Sequence, residues 1–159
     1  MATTVTAATL KVTVSESIEL NGYQLGGTNS KTFASIGEIF KRILTITTNE
    51  ATIATFSGAV ASSGHFNDSA VRYMRFTNLD DTNFLTLTFT NENNDEVAIK
   101  LDAGQSFIWN ADNDGGLVDV FNATENADAG SDTALGDLRT IQADAAASTV
   151  DMEMFIASV

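Results

Sequence analysis

The sequence predicts an all-β protein: an antiparallel β-sandwich, jelly-roll-like, of about ten strands with at most one short helical turn. Three observations predict it. Residues 71–110 read as four short β-rich runs, at 71–78, 84–90, 96–101 and 106–110, parted by polar turns. Spacing that tight leaves no room for crossover helices, so it argues an antiparallel meander and not βαβ units. The remaining runs are equally short, and a chain of 159 residues can bury roughly 70% of its unfolded surface in one two-layer core.

The elements follow in order. Residues 1–8 are small and polar and read as a flexible N-terminal arm, which leaves 9–159 as a single domain. Residues 9–14 alternate, with Leu10, Val12 and Val14 on one side and Thr9, Lys11 and Thr13 on the other, as a half-buried strand does. Runs at 17–20 and 23–25 flank Asn21-Gly22, the strongest short hairpin signal, and 26–30 is a loop. In 32–40, Phe33, Ile36, Ile39 and Phe40 have helical spacing, but Ser35 and Gly37 interrupt it, which limits the segment to one short helical turn. Strands at 41–48 and 51–56 are joined at Asn49-Glu50. The longest low-structure connection is 57–69, whose Val60 and Phe66 need burial, either in the protein's own sandwich or against a partner.

Within the central stretch, Asp80-Asp81-Thr82-Asn83 and Asn91-Glu92-Asn93-Asn94-Asp95 supply turns, because Asx side chains bond their own backbone. Gly104 is free to take positive φ at the next corner. Residues 84–90 carry no charge, and the chain has no proline, two devices that blunt sheet edges. That run must therefore be a central strand, or an edge that something else covers. Beyond it, 110–116 is a polar turn, 117–121 a strand, 122–137 an acidic excursion, 138–142 a strand and 143–148 an Ala-rich connection. The last run places Val150, Met152, Met154 and Ile156 on one face and Asp151 and Glu153 on the other, with Phe155 breaking the polar side. A terminal strand with a partly covered second face is expected.

Charge narrows the function. Twenty-one acids against eight bases give −13, and only Arg139 is basic beyond Asp102, which disfavours nucleic acid and anionic membranes as partners. No apolar run approaches the 18 or so residues of a membrane span, and the first residues lack the basic and apolar regions of a signal peptide. A soluble protein made in the cytoplasm is expected. With no cysteine, neither a disulfide nor a thiolate metal site is possible.

Catalytic arrangements are sparse. The only histidine, His65, sits in a Gly/Ser loop, and no Gly-x-Ser-x-Gly elbow occurs. Asp80 and Asp81 are adjacent at a turn, whereas glycosidase carboxylates face one another across a cleft. Asn110, Asp112 and Asp114, followed by Gly115, copy the start of a Ca²⁺ loop. The bidentate Glu due at position twelve is instead Phe121, so an Asx-rich hairpin loop is expected and no metal. The glycine pairs lack the Lys-Ser/Thr of a phosphate loop. No enzyme activity and no cofactor are expected. Candidate interface residues are Arg72, Tyr73, Arg75, Phe66 and Val60. Tyr73 and Arg75 share a strand face, with Arg72 opposite beside Met74 and Phe76, and Arg and Tyr are enriched at interfaces. The arginines could equally pair with internal carboxylates. Trp109 beside Phe107 reads as core and not as a sugar platform.

Residues 71–84, Val-Arg-Tyr-Met-Arg-Phe-Thr-Asn-Leu-Asp-Asp-Thr-Asn-Phe, with Ala-Ile-Lys-Leu-Asp-Ala-Gly-Gln-Ser-Phe at 98–107 and the ending Met-Phe-Ile-Ala-Ser-Val, carry a resemblance. From about Lys11 onward the chain resembles small virion structural proteins of marine tailed bacteriophages. The resemblance implies a β-rich particle component, a capsid decoration (cement) protein stabilising the outer shell through protein–protein contacts. It implies the major capsid protein or other virion proteins as partners, a homo-oligomer with a trimer favoured, and a place on the virion exterior. A tail- or fibre-associated adhesin module binding a host surface glycan is the alternative. No catalytic motif is carried over.

Overall fold

The computed structural model describes residues 4–59, 62, 64–111, 114–123 and 135–159. Its strands run in chain order β1 Ala8–Ser15, β2 Glu19–Leu20, β3 Tyr23–Gln24, β4 Thr28–Ile36, β5 Glu38–Ile46, β6 Ala51–Ser57 and β7 His65–Asn67. After a 3₁₀ turn at Asp68–Ala70 come β8 Val71–Asn78, β9 Leu85–Asn91, β10 Glu96–Leu101, β11 Ser106–Asn110, β12 Leu138–Ala145 and β13 Val150–Ser158. Among the described residues no helix is long and apolar enough to cross a membrane.

Period-two sequence makes two sheets that bury one face each. A four-stranded sheet has the order β11-β8-β13-β5, and a five-stranded one the order β10-β9-β12-β6-β7. On β13, Val150, Met152, Met154 and Ile156 are buried while Asp151 is exposed and Glu153 and Phe155 are half-buried, as the alternation predicts. They meet Leu85, Leu87 and Phe89 of β9 and Ile141 of β12 in one continuous core. The Phe76 and Phe89 rings touch across the layers, edge to face at 6.3 Å. The protein is thus an all-β sandwich. The charge-free run forms β9, which lies between β10 and β12 and so has no free edge.

The 71–110 runs are strands within a residue of their expected bounds, but they are not a meander. β8 and β11 lie in one sheet and β9 and β10 in the other. Only the turn at 91–95 is a hairpin within a sheet, with Asn91 Oδ1 accepting from the Asn93 and Asp95 amides at 3.0 and 2.8 Å. The other two corners carry the chain between layers. Asn78, fully buried, donates through Nδ2 to Asn83 O (2.9 Å) and Leu101 O (3.1 Å), and its Oδ1 accepts from the Asp80 amide. Asx chemistry closes these corners as expected, yet the turn it makes is out of the sheet.

Several other expectations are corrected. No helical turn forms in 32–40: β4 runs to Ile36 and β5 starts at Glu38. Ser35 adopts φ 61° and the β1–β4 register shifts there, so the chain turns over. Phe33 and Ile36 then face one cluster and Phe40 another, which mimics helical spacing. Residues 28–30, expected in a loop, begin β4. Residues 117–121 form turns and not a strand. Leu117 is fully buried, but its amide bonds Asp68 O, and Phe121 makes an isolated bridge to Gly136. Ala143 and Ala145 continue β12, both buried. The 57–69 connection contains β7, which pairs parallel to β6. Residues 1–3 of the expected arm, 60, 61 and 63 of that connection, and 124–134 of the acidic excursion lie outside the described residues.

The first four strands form a β-arm. β1 pairs with β4, and β2 with β3 beyond them. At its root Phe33 and Ile36, with Leu10 and Val12, pack on Tyr73, Phe155 and Ala157 of the four-stranded sheet's outer face. From residue 13 to residue 32 every side chain is exposed.

Body and arm should respond separately to substitution. Leu87→Ala should cost the sandwich about 2–5 kcal/mol in urea unfolding. A Cβ at Gly26 would overlap the Glu16 carbonyl oxygen. Gly26→Ala should therefore speed amide exchange at residues 16–27 while leaving global stability within about 0.5 kcal/mol.

Candidate functional site

The arm's tip is a two-residue hairpin whose turn needs positive φ at both central positions. Asn21 and Gly22 supply it at 52° and 82°. Leu20 is paired with Tyr23, and the Leu25 amide donates to Ile18 O at 3.0 Å. Cross-strand partners share a face, and so do residues two apart. Ile18, Leu20, Tyr23 and Leu25 therefore form one apolar patch, and they are 52, 56, 73 and 62% exposed. Glu19 and Gln24 take the opposite face, bonded to one another at 3.5 Å. Scattered exposed apolar residues are ordinary, but four on one face of a projecting hairpin are not. A two-stranded ribbon in water is marginally stable by itself, and this tip draws no support from the body.

The second feature is the outer face of the four-stranded sheet. Register places Lys41, Phe155, Arg75 and Ile108 in one row across it, with Ile43, Glu153, Thr77 and Ser106 in the next. The arm's root covers Tyr73 and part of Phe155 and leaves the rest open. A hollow of 330 Å³ remains beside the root, walled by Lys11, Lys41, Arg75, Ile108 and Phe155. Glu153 pairs with both Lys41, at 3.0 Å, and Arg75. The Lys41 ammonium, with Arg75 beside it, holds the Glu153 carboxyl below its ordinary value against a smaller opposing effect of burial. Burial under the root raises Tyr73, and Arg75 partly offsets that. Among the described residues the Arg75 Nε is buried with no hydrogen-bond partner. Three bases around one acid make this a positive hollow on a negative protein.

Other openings lie around the body, among them one of 400 Å³ at the arm's root walled by Thr32, Phe33, Ser35, Arg72 and Val159. Between the edge strands β10 and β11 lies an apolar slot of 330 Å³, walled by Phe89, Val97, Ile99, Phe107, Trp109 and Phe121. Between β5 and β6 a hollow of 430 Å³ has His65 in its wall together with Arg42 and several threonines, and no carboxylate lines it.

The sequence candidates are dispersed. Phe66 is buried, its ring 5.3 Å from Phe40 and 5.6 Å from Phe56, where it closes the β5–β7 side of the sandwich. Tyr73 is buried beneath Phe33 and against Phe155. Arg72 donates to the Ser69 and Val71 carbonyls, and Arg75 pairs with Glu153, so both arginines have internal partners. Arg75 also stays half-exposed at the positive hollow. Val60 and Asp112 lie outside the described residues, while Asn110 and Asp114 are exposed. Among the described residues no group of three or more His, Asp or Glu is placed to hold a metal ion. Where three acids do gather, Arg139 occupies the middle, bonded to Asp68 at 2.8 Å, Asp137 at 3.0 Å and Glu92 at 3.2 Å. Trp109 is half-buried against Phe89 and Phe107.

Sequence reasoning found the hairpin and missed that its apolar face stays bare. The signal was present: Ile18, Leu20, Tyr23 and Leu25 are symmetric about Asn21-Gly22. Symmetry about a turn puts residues on one face, but it does not say whether the body lies under them.

The Glu153 pairings set a pH dependence. A carboxyl whose folded value is lowered adds stability above its unfolded value and loses it as pH falls through the folded one. Glu153→Gln should therefore lower stability at pH 7, and the gap to wild type should close as pH falls below 4.5. Urea midpoints at both pH values check this. Compared with known proteins, the chain matches no family model, no curated protein and no solved structure.

Proposed function

We propose that the protein is a virion structural component, a capsid decoration (cement) protein on the particle's exterior that stabilises the outer shell through protein–protein contacts. Its partners are the major capsid protein and other copies of itself, with a trimer favoured. The observation that carries this is the bare apolar tip of the arm, a contact element projecting from a body that has no need of it for its own core. Charge layout supports the same reading. The four acids and four bases of residues 1–59 cancel, so the whole net −13 resides on residues 60–159. An acidic body suits an outer face away from packaged nucleic acid, and a neutral arm approaches neighbours without that repulsion.

Strand order adds to it. One layer runs β5, β13, β8, β11 and the other β6, β12, β9, β10, a winding we read as a jelly roll, with β7 appended. Such two-sheet folds recur in capsid proteins, which is support by analogy of fold alone. A tail- or fibre-associated adhesin draws on the aromatic slot beside Trp109. Among the described residues that slot has Asn110 as its one polar wall residue, too few for a sugar's hydroxyls. The contact reading is the better supported.

Purified protein should co-sediment with assembled shells that lack it and raise their melting temperature, since whatever binds the assembled state stabilises it. Leu20→Asp with Leu25→Asp should abolish both effects. Protein that ignores such shells overturns the decoration role, and glycan binding lost on Trp109→Ala would put the adhesin in its place.

A further inference from the structure

We propose that the arm tip of one copy seats in the positive hollow on the outer sheet face of a second copy. The inference deepens the reading above and rests on it in treating the arm as the contact element. It names the occupant and the seat.

The tip brings an apolar patch flanked by acids. Ile18, Leu20, Tyr23 and Leu25 share one face, Glu16 precedes them two residues before Ile18, and Glu19 stands on the reverse face beside Gln24. The hollow brings the complement: Ile108 and Phe155 offer apolar wall, while Lys11, Lys41 and Arg75 stand around it. Ile39 and Ile43, exposed on the same sheet face, extend the apolar area beyond the hollow. Glu153 neutralises one of the three bases, which leaves the hollow net positive toward an arm tip whose two charges are both acidic.

The alternatives fit less well. The slot between β10 and β11 is apolar, with no base in its wall among the described residues. The tip cannot reach its own hollow, because the paired strands carry it about 30 Å from the root, at roughly 3.3 Å per residue. A stable pair needs about 20–30 residues on each side, and residues 13–32, all exposed, supply an element of that size. Apolar burial drives the contact. The charges set its register, since exposed ion pairs contribute only about 0.2–1 kcal/mol each.

The test uses the full chain and its mass in sedimentation. Wild type should associate, and Glu16→Lys with Glu19→Lys should weaken association about tenfold. Lys11→Glu with Lys41→Glu should do the same. A one-to-one mixture of the two double variants should associate more tightly than either variant alone, because the arm of each meets a hollow of opposite sign on the other. Circular dichroism and urea midpoints of each variant show that its body is folded. As a second measurement, Leu20→Cys mixed with Ile108→Cys and oxidised should give a covalent dimer, in a chain with no other cysteine.

A monomeric wild type, association untouched by the charge reversals, or no disulfide between the two cysteines would each overturn the proposal. A monomer that still binds shells overturns this seat and leaves the decoration role standing. Association through the arm by protein that ignores shells does the reverse.

Discussion

The buried amide of Asn78 governs how the two layers are joined. Where a chain leaves one sheet for another, its backbone groups lose their ladder partners, and those the core covers need new ones. Asn78 meets that demand for two crossings at once, bonding the first corner at Asn83 and the end of β10 at Leu101. Its own amide donates to Gln105 O, so the return corner is tied to the same residue. With those corners held, β8 and β11 pair in one layer while β9 and β10 pair in the other. The inward rows of Met74, Phe76, Leu87 and Phe89 then face each other. Every later feature, including the open outer face of the four-stranded sheet, follows from that partition.

Strand positions were legible because alternation is a local property. Val150 to Ile156 announces its buried face in the sequence, and the structure buries that face. Layer membership was not legible. Alternation tells which side of a strand is apolar, and it is silent about which sheet the strand joins. Asp80 illustrates the limit. Its Oδ1 accepts from the Thr82 and Asn83 amides, the expected Asx turn, and those bonds lower its carboxyl below the ordinary value. The same chemistry would close an in-plane hairpin or a crossing corner. Phe33, Ile36 and Phe40 show the converse error: a strand that turns over at Ser35 and Gly37 borrows the spacing of a helix.

Of the site, the sequence disclosed components without their company. Arg75 was a candidate, and it does stand at the rim of the positive hollow. Its neighbours there come from β5, β11 and β13, brought together by register, and from β1, laid over them by the packing of the arm's root. Phe66 and Tyr73 were candidates because aromatic residues favour interfaces, yet the protein's own layers cover both. Arg139 is the opposite case. It passed as the lone base of an acidic segment, and the fold makes it the counter-charge of Asp68, Asp137 and Glu92.

The arm is not hung from a loop. β4 passes into β5 with only Gly37 between them, and β5 lies against β13 over nine partnered residues. A load on the arm therefore reaches β5 without a slack loop to absorb it, and β5 is held by a full ladder to β13. That makes the arm an anchor line spliced into the frame.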